Sequence, residues 1–201
     1  MLVEMQSLEK NGTWEIVHLP KQKKPVRCKW VFKRKDGLSP SELPRFKTRL
    51  VAKGFSQIPG VDYNNVFSPV VKHSSIRTFF SIVAMHDLEL EQLDVKTAFL
   101  HGELEEEIYM DQPEGFIVPG KENFVCKLKK SLYGLKQSPR QWYKRFDSFM
   151  LSHGFKISEY DSCVYIKIVD GSPIYLLLYV NDMLIAAKSR KKNHYIEEIV
   201  E

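Results

Sequence analysis

Cysteine is scarce in this chain of 201 residues: only Cys28, Cys126 and Cys163 occur. Their number is odd, and none has a second Cys or a His at ligand spacing. This argues against a disulfide framework and a zinc site, and favours a reducing compartment, intracellular and cytoplasmic rather than secreted. Long apolar runs are also absent. The longest, residues 174–180, is too short to span a bilayer, and the first ten residues carry Glu4 and Glu9 without a long apolar core. Neither a targeting segment nor a membrane role is expected. Compositional extremes are missing too: 43% hydrophobic and 12% aromatic residues exclude disorder and provide for a core in one or two subdomains. A net charge of +5 favours a polyanionic partner only weakly in total. The placement of the basic residues, densest between Lys21 and Lys53, therefore carries that argument.

Leu2, Met5 and Leu8 recur at helical spacing and stop at Asn11-Gly12, which predicts a short helix before an extended segment at Trp14 and Ile16. From Pro25 the period becomes two. Val26, Cys28, Trp30 and Phe32 point one way and Arg27, Lys29 and Lys33 the other, with Asp36-Gly37 as a turn. A second strand follows, with Phe46, Leu50 and Ala52 on one face and Arg45, Lys47, Arg49 and Lys53 opposite. The expected hairpin has one basic face. Such a face can grip phosphates by counterion release, and it equally suits solubility and protection of a sheet edge; the residues alone leave both open.

Ser74-Ser75 is expected to cap a helix through about Met85, with Ile76, Phe79, Phe80 and Val83 at core spacing. Leu88, Leu90, Gln92 and Asp94 then share one face of a strand that Asp94 ends. The acidic run at 103–107 reads as a solvated loop or turn. Ser138-Pro139 starts another helix, whose stripe is Trp142, Phe146, Phe149 and Met150 and whose end is Gly154. Three strands in a meander are expected over residues 163–168, 174–180 and 183–187, and the basic segment 189–193 leads into a further helix. Between the last two strands, Asn181-Asp182 forms a tight turn that presents acidic chemistry. Together with Asp94 it could hold divalent metal ions.

The ordered set of motifs resembles the reverse transcriptase domain of copia-type retrotransposon Pol polyproteins. The resemblance rests on Asn11-Gly12-Thr13-Trp14, Lys29-Trp30-Val31-Phe32-Lys33, Arg49-Leu50-Val51-Ala52-Lys53-Gly54-Phe55, Phe67-Ser68-Pro69-Val70, Gln92-Leu93-Asp94-Val95-Lys96-Thr97-Ala98-Phe99-Leu100-His101-Gly102, Leu132-Tyr133-Gly134-Leu135-Lys136-Gln137-Ser138-Pro139-Arg140 and Tyr179-Val180, in order over nearly the whole chain. It implies an α+β fold of polymerase fingers (approximately 1–70 and 102–137) and palm (approximately 71–101 and 138–201). The antiparallel palm sheet would be backed by helices, and the thumb would be missing because the chain stops just after the hairpin. It implies RNA-directed DNA synthesis with two Mg2+ ions, an RNA template, a DNA primer and deoxynucleoside triphosphates. Asp94 and Asp182 match metal ligands of the family. Phe99 matches the aromatic steric gate against a ribose 2′-hydroxyl. Lys47, Arg49 and Lys53 fall in the strand that contacts the triphosphate, and Tyr133, Lys136 and Gln137 in the loop that meets nucleotide and template. The residues do not set an oligomeric state.

Asn181 departs from the pattern, standing where the family has the Asp that bridges both ions. An amide offers a carbonyl oxygen but no charge. Losing one unit of charge against a dication forfeits on the order of 10 kcal/mol before compensation. A residual of about 4 kcal/mol would slow the reaction roughly a thousandfold. The expectation is a polymerase fold with impaired or no activity; the alternatives are a noncatalytic nucleic-acid-binding remnant and a pseudogene product.

Overall fold

The computed structural model describes residues 1–36, 43–95 and 97–190. In chain order its elements are α1 (Leu2–Lys10), β1 (Trp14–His18), β2 (Cys28–Lys35), β3 (Arg45–Ala52), α2 (His73–His86), β4 (Glu89–Asp94), β5 (Glu103–Met110), β6 (Phe124–Lys130), α3 (Ser138–Ser152), β7 (Lys156–Ile157), β8 (Val164–Val169), β9 (Ser172–Tyr179) and β10 (Asp182–Ala187). They form a mixed α+β chain of antiparallel sheets with helices. The contacts divide it into two compact units, Met1–Phe67 with Phe99–Trp142 and Ser68–Ala98 with Tyr143–Glu201. Gly37, in the expected Asp36-Gly37 turn, and most of the basic segment 189–193 with the helix it was to lead into lie outside the described residues. Among those residues, no helix is long and apolar enough to cross a membrane.

In the first unit, α1 buries Met5 and Leu8 of its three expected positions and leaves Leu2 exposed at the first helical residue. The chain leaves it through Gly12, whose φ of +60° favours a residue without a Cβ. β1, β6 and β5 make a three-stranded antiparallel sheet, and β2 and β3 a two-stranded ribbon. Leu50, Leu100, Ile108, Met110, Cys126, Leu128 and Leu132 are buried together as one core, with Trp30 and Cys28 packed against it.

The acidic run at 103–107 is strand, not loop. Glu103, Glu105 and Glu107 take the exposed positions of β5, Leu104 turns inward, and the strand continues into buried Ile108, Tyr109 and Met110. Three of the four glutamates face solvent, and the fourth, half-buried Glu106, accepts from Gln137 Nε2 at 3.3 Å. Lys127 on β6 answers Glu107 across the sheet at 3.0 Å; the pairing holds the Glu107 carboxyl below its ordinary pKa.

The β2–β3 ribbon has the expected alternation. Cys28 stands opposite Ala52 and Trp30 opposite Leu50 on the core side, while Val31 stands opposite Arg49, Lys33 opposite Lys47 and Lys35 opposite Arg45 on the other. The core-side stripe outruns the core: Phe32 is 65% exposed and Phe46 78%.

The second unit is a five-stranded antiparallel sheet in the order β4-β10-β9-β8-β7. α3 packs Phe146 against Tyr165 of β8, ring centroids 5.6 Å apart, and the Tyr165 hydroxyl donates to Asp147 Oδ1 at 3.0 Å. Two expectations for α2 need correction. Its N-cap is Lys72, with no side-chain cap of its own, so Ser74-Ser75 lie inside the first turn. The capping carboxylate comes from far along the chain: Asp161 accepts from the Lys72 N–H at 2.8 Å and the Cys163 N–H at 2.9 Å, and from the Ser75 hydroxyl. Only Phe79 of the four expected core positions is fully buried; Ile76 and Val83 are half-buried and Phe80 is 45% exposed. The helix meets the sheet along a narrow line, leaving a cavity of about 500 Å³ that Phe79, Ile82, Val164 and Tyr175 help to line.

All three cysteines are free. Burial pushes the Cys28 thiol up to about 11 and those of Cys126 and Cys163 to about 12, so none is a ready nucleophile.

Burial acts to raise the pKa of Asp161, but the Ser75 hydroxyl and the two backbone N–H groups outweigh it and hold the carboxyl below its ordinary value. Asp161→Ala is expected to lower the unfolding free energy by about 3 kcal/mol at neutral pH. A folded pKa below the unfolded one gives stability that is fully present above about pH 4 and is lost as pH falls toward the folded value. The gap between variant and native protein in denaturant titrations should therefore be wider at pH 7 than at pH 3.

Candidate active site

β4 and β10 run antiparallel with Asp94 opposite Asp182, Leu93 opposite Met183 and Gln92 opposite Leu184. Directly opposed residues of an antiparallel pair share a face, so the two carboxylates stand side by side at one end of the second unit's sheet. Asp94 is exposed, and Asn181 and Asp182 are half-buried.

The hairpin tip is a two-residue connection, Val180-Asn181, closed by Tyr179 opposite Asp182. Val180 has φ of +60°, a left-handed conformation that costs a β-branched residue about 1–2 kcal/mol. Strain of this kind collects where surrounding structure fixes a functional group. Asn181 is tied down from both ends: its backbone carbonyl accepts from the Val95 N–H at 3.2 Å, and its side-chain Nδ2 donates to Asp94 Oδ1 at 2.9 Å. The amide thus turns a donor toward Asp94, not an oxygen.

Asp94, exposed, and Asp182, half-buried, stand opposite each other and offer the hard carboxylate oxygens that Mg2+ takes. The set fits one such cation. It does not fit a bridged pair, because the third position supplies an N–H and no charge. Among the described residues, no group of three or more Asp, Glu, His or Cys is placed to hold a metal.

The other expected site residues lie in the first unit. Arg49 on β3 carries its guanidinium 4.8 Å from the centroid of the Tyr133 ring, and Tyr133 meets Phe99 edge-on at 5.1 Å and 68°. These three form one cation–aromatic stack. Lys136 places its Nζ 5.2 Å from the Tyr63 ring. Lys47 lies on the exposed basic face of the ribbon, opposite Lys33. Lys53 is half-buried just past β3, its N–H bonded to the Arg27 carbonyl at 2.7 Å.

Gln137 is different: it is fully buried, accepts from Gln57 Nε2 at 3.0 Å and donates to the Asp62 carbonyl at 2.9 Å. Its amide is committed to the protein interior, which leaves it no group to offer a nucleotide. Gln57, its partner, was missed by the sequence reading. A lone glutamine between Ser56 and Ile58 carries no period or motif; the nearby Gly54 was the only available signal.

Asn181→Asp removes the bond to Asp94 and adds a third carboxylate at the tip. In metal-free buffer the variant should lose about 1 kcal/mol of stability. Millimolar Mg2+ should restore it and stabilise the variant more than the native protein. Thermal unfolding with and without Mg2+ checks this, and an equal response in both proteins would count against it.

Comparison with known proteins bears directly on the chemistry of this site. The family model described as reverse transcriptase (RNA-dependent DNA polymerase) matches residues 11–200. The chain is 61% identical over 192 residues, 94% of its length, to the retrovirus-related Pol polyprotein from transposon TNT 1-94 of Nicotiana tabacum. It is 44% identical over 176 residues, 87% of its length, to the retrovirus-related Pol polyprotein from transposon RE1 of Arabidopsis thaliana. It is 30% identical over 200 residues, 96% of its length, to the transposon Ty1-MR1 Gag-Pol polyprotein of Saccharomyces cerevisiae. It spans 14%, 12% and 11% of the lengths of these relatives. A match that takes in both carboxylates, the hairpin tip and the Arg49–Tyr133–Phe99 stack leaves one assignment: the chain belongs to the reverse transcriptase family, in the branch carried by copia-type retrotransposon Pol polyproteins.

Proposed function

We propose that this chain forms the fingers and palm of an RNA-directed DNA polymerase whose nucleotidyl transfer is impaired at Asn181. The observation that carries the reading is the register that sets Asp94 opposite Asp182 with the Asn181 amide bonded between strand and turn. The fingers would take in approximately 1–70 and 102–137 and the palm approximately 71–101 and 138–201. The division of the contacts after Phe67, Ala98 and Trp142 supports those limits. The substrates would be deoxynucleoside triphosphates, a DNA primer and an RNA template.

Asp94 and Asp182 would hold Mg2+, which when bound activates the primer 3′-hydroxyl and neutralises the triphosphate. Arg49, Lys47 and Lys53 would meet the triphosphate as fixed cations, Arg49 with its fork oriented by the Tyr133 ring. Phe99, set edge-on to Tyr133, would bar a ribose 2′-hydroxyl. Lys136 would add charge toward the nucleotide, and Gln137 would hold the loop. Asn181 contributes no charge where the family pattern has a bridging carboxylate, and a deficit of about 4 kcal/mol is a thousandfold in rate.

A second reading, nucleic-acid binding without catalysis, is favoured by one feature. Lys33 opposite Lys47 and Lys35 opposite Arg45 gather positive charge in direct cross-strand register on one face, where a polyanion's phosphates would meet several cations at once.

Primer extension separates the two. In a polypeptide that continues through a thumb, Asn181→Asp should extend a primed RNA template at least a hundredfold faster than the native sequence. Extension by the native sequence at rates typical of an active polymerase would falsify the impairment. Binding of an RNA·DNA hybrid should weaken as salt rises, and Lys47→Ala with Arg49→Ala should flatten that dependence by about one counterion per residue.

A further inference from the structure

The loop of residues 132–137 carries Tyr133, and two independent devices pin it. The first is steric. A Cβ on Gly54 would fall on the carbonyl oxygen of Gly134, and a Cβ on Gly134 would fall on that of Ala52, so only glycine at both positions lets the two backbones cross. At the crossing the Ala52 N–H donates to the Tyr133 carbonyl at 2.7 Å, tying the end of β3 to the residue whose ring lies beneath Arg49.

The second device is polar. Gln57 and Gln137 are both buried and bond to each other through their side chains, Nε2 of Gln57 to Oε1 of Gln137 at 3.0 Å. The direction of this pair is set by its ends. Gln57 Oε1 accepts from the Lys136 backbone N–H at 2.9 Å, a group that can only donate. Gln137 Nε2 donates to the Asp62 carbonyl at 2.9 Å, a group that can only accept, and more weakly to Glu106 Oε2 at 3.3 Å. Neither amide can flip without setting like groups against each other in a buried site. Donor and acceptor therefore run in one sense from the Lys136 N–H to the Asp62 carbonyl, and both Lys136 and Gln137 of the loop are held.

We propose that Gln57 is a positioning residue for nucleotide selection. It fixes the loop, the loop fixes Tyr133, and Tyr133 holds the Phe99 ring edge-on and the Arg49 guanidinium overhead. Discrimination between deoxyribonucleoside and ribonucleoside triphosphates then depends on a glutamine that touches neither. This rests on the proposed roles of Phe99 and Arg49, and the test keeps the two apart.

Equilibrium binding of deoxyguanosine triphosphate and guanosine triphosphate, each complementary to the next template base, would be measured on a primed RNA template for the native chain, Gln57→Ala and Gln57→Glu. Gln57→Glu keeps side-chain size and the acceptor for Lys136 but sets two oxygens face to face at Gln137. The preference for the deoxynucleotide should fall at least fivefold in Gln57→Ala and by a smaller factor in Gln57→Glu. Amide hydrogen exchange in residues 132–137 should quicken at least tenfold in Gln57→Ala, with β8, β9 and β10 unchanged. Binding of both nucleotides with an unchanged preference in the two variants overturns the role of Gln57, even if stability falls. Failure of the native chain to bind either nucleotide overturns the polymerase reading instead.

Discussion

Asp182 stands opposite Asp94 because the other face of the same strands leaves the register no freedom. Met183, Ile185 and Ala187 on β10 alternate with the site-facing residues and are fully buried, as are Ile174, Leu176 and Leu178 on β9 beside them. A slip of one residue would carry Asp182 into that apolar layer and turn Met183 outward. Burying an unpaired carboxylate costs several kcal/mol, and exposing Met183 and Ile185 costs about as much again. The chemistry of the tip is thus a by-product of core packing. What the core fixes is position; the charge there is left to the identity of three side chains.

At one of those three, an amide changes the character of the tip without disturbing its geometry. Adjacent carboxylates repel, and a cation is what ordinarily holds them together. Here the Asn181 N–H points at Asp94 and supplies a weak substitute for that cation from within the chain. The turn keeps its strained Val180, and the strands keep their pairing. The first unit repeats the theme with different forces: close backbone contact at Gly54 and Gly134, and a buried amide pair, hold Tyr133 in its stack, while the ribbon keeps like charges opposed.

Much of this was legible in the sequence. The meander of β8, β9 and β10, the strand ended by Asp94 and the ribbon of β2 and β3 all showed as period-two alternation broken by turn residues, a signal carried within a few residues. α1 and α3 showed through their stripes and their terminal signals. Illegible features depended on partners distant in sequence. The cap of α2 is Asp161, 89 residues from Lys72, so Ser74-Ser75 offered a false local cap. β5 was hidden because its charges drew attention from the single inward Leu104, and its pairing with β6 decides its state. Gln57 and Gln137 meet across 80 residues of chain, and nothing near either one predicts the other. Gln137 sits in a motif that suggested nucleotide contact; only burial shows it facing inward.

The central claim is that the tip retains the position of a polymerase metal site with the charge to hold one dication and not a pair. Anomalous scattering from crystals of the native chain soaked in Mn2+ tests it most directly. The account predicts at most one peak, shared by Asp94 and Asp182, with Asn181 contributing no ligand. Two peaks bridged at the tip, with Asn181 among their ligands, would contradict it.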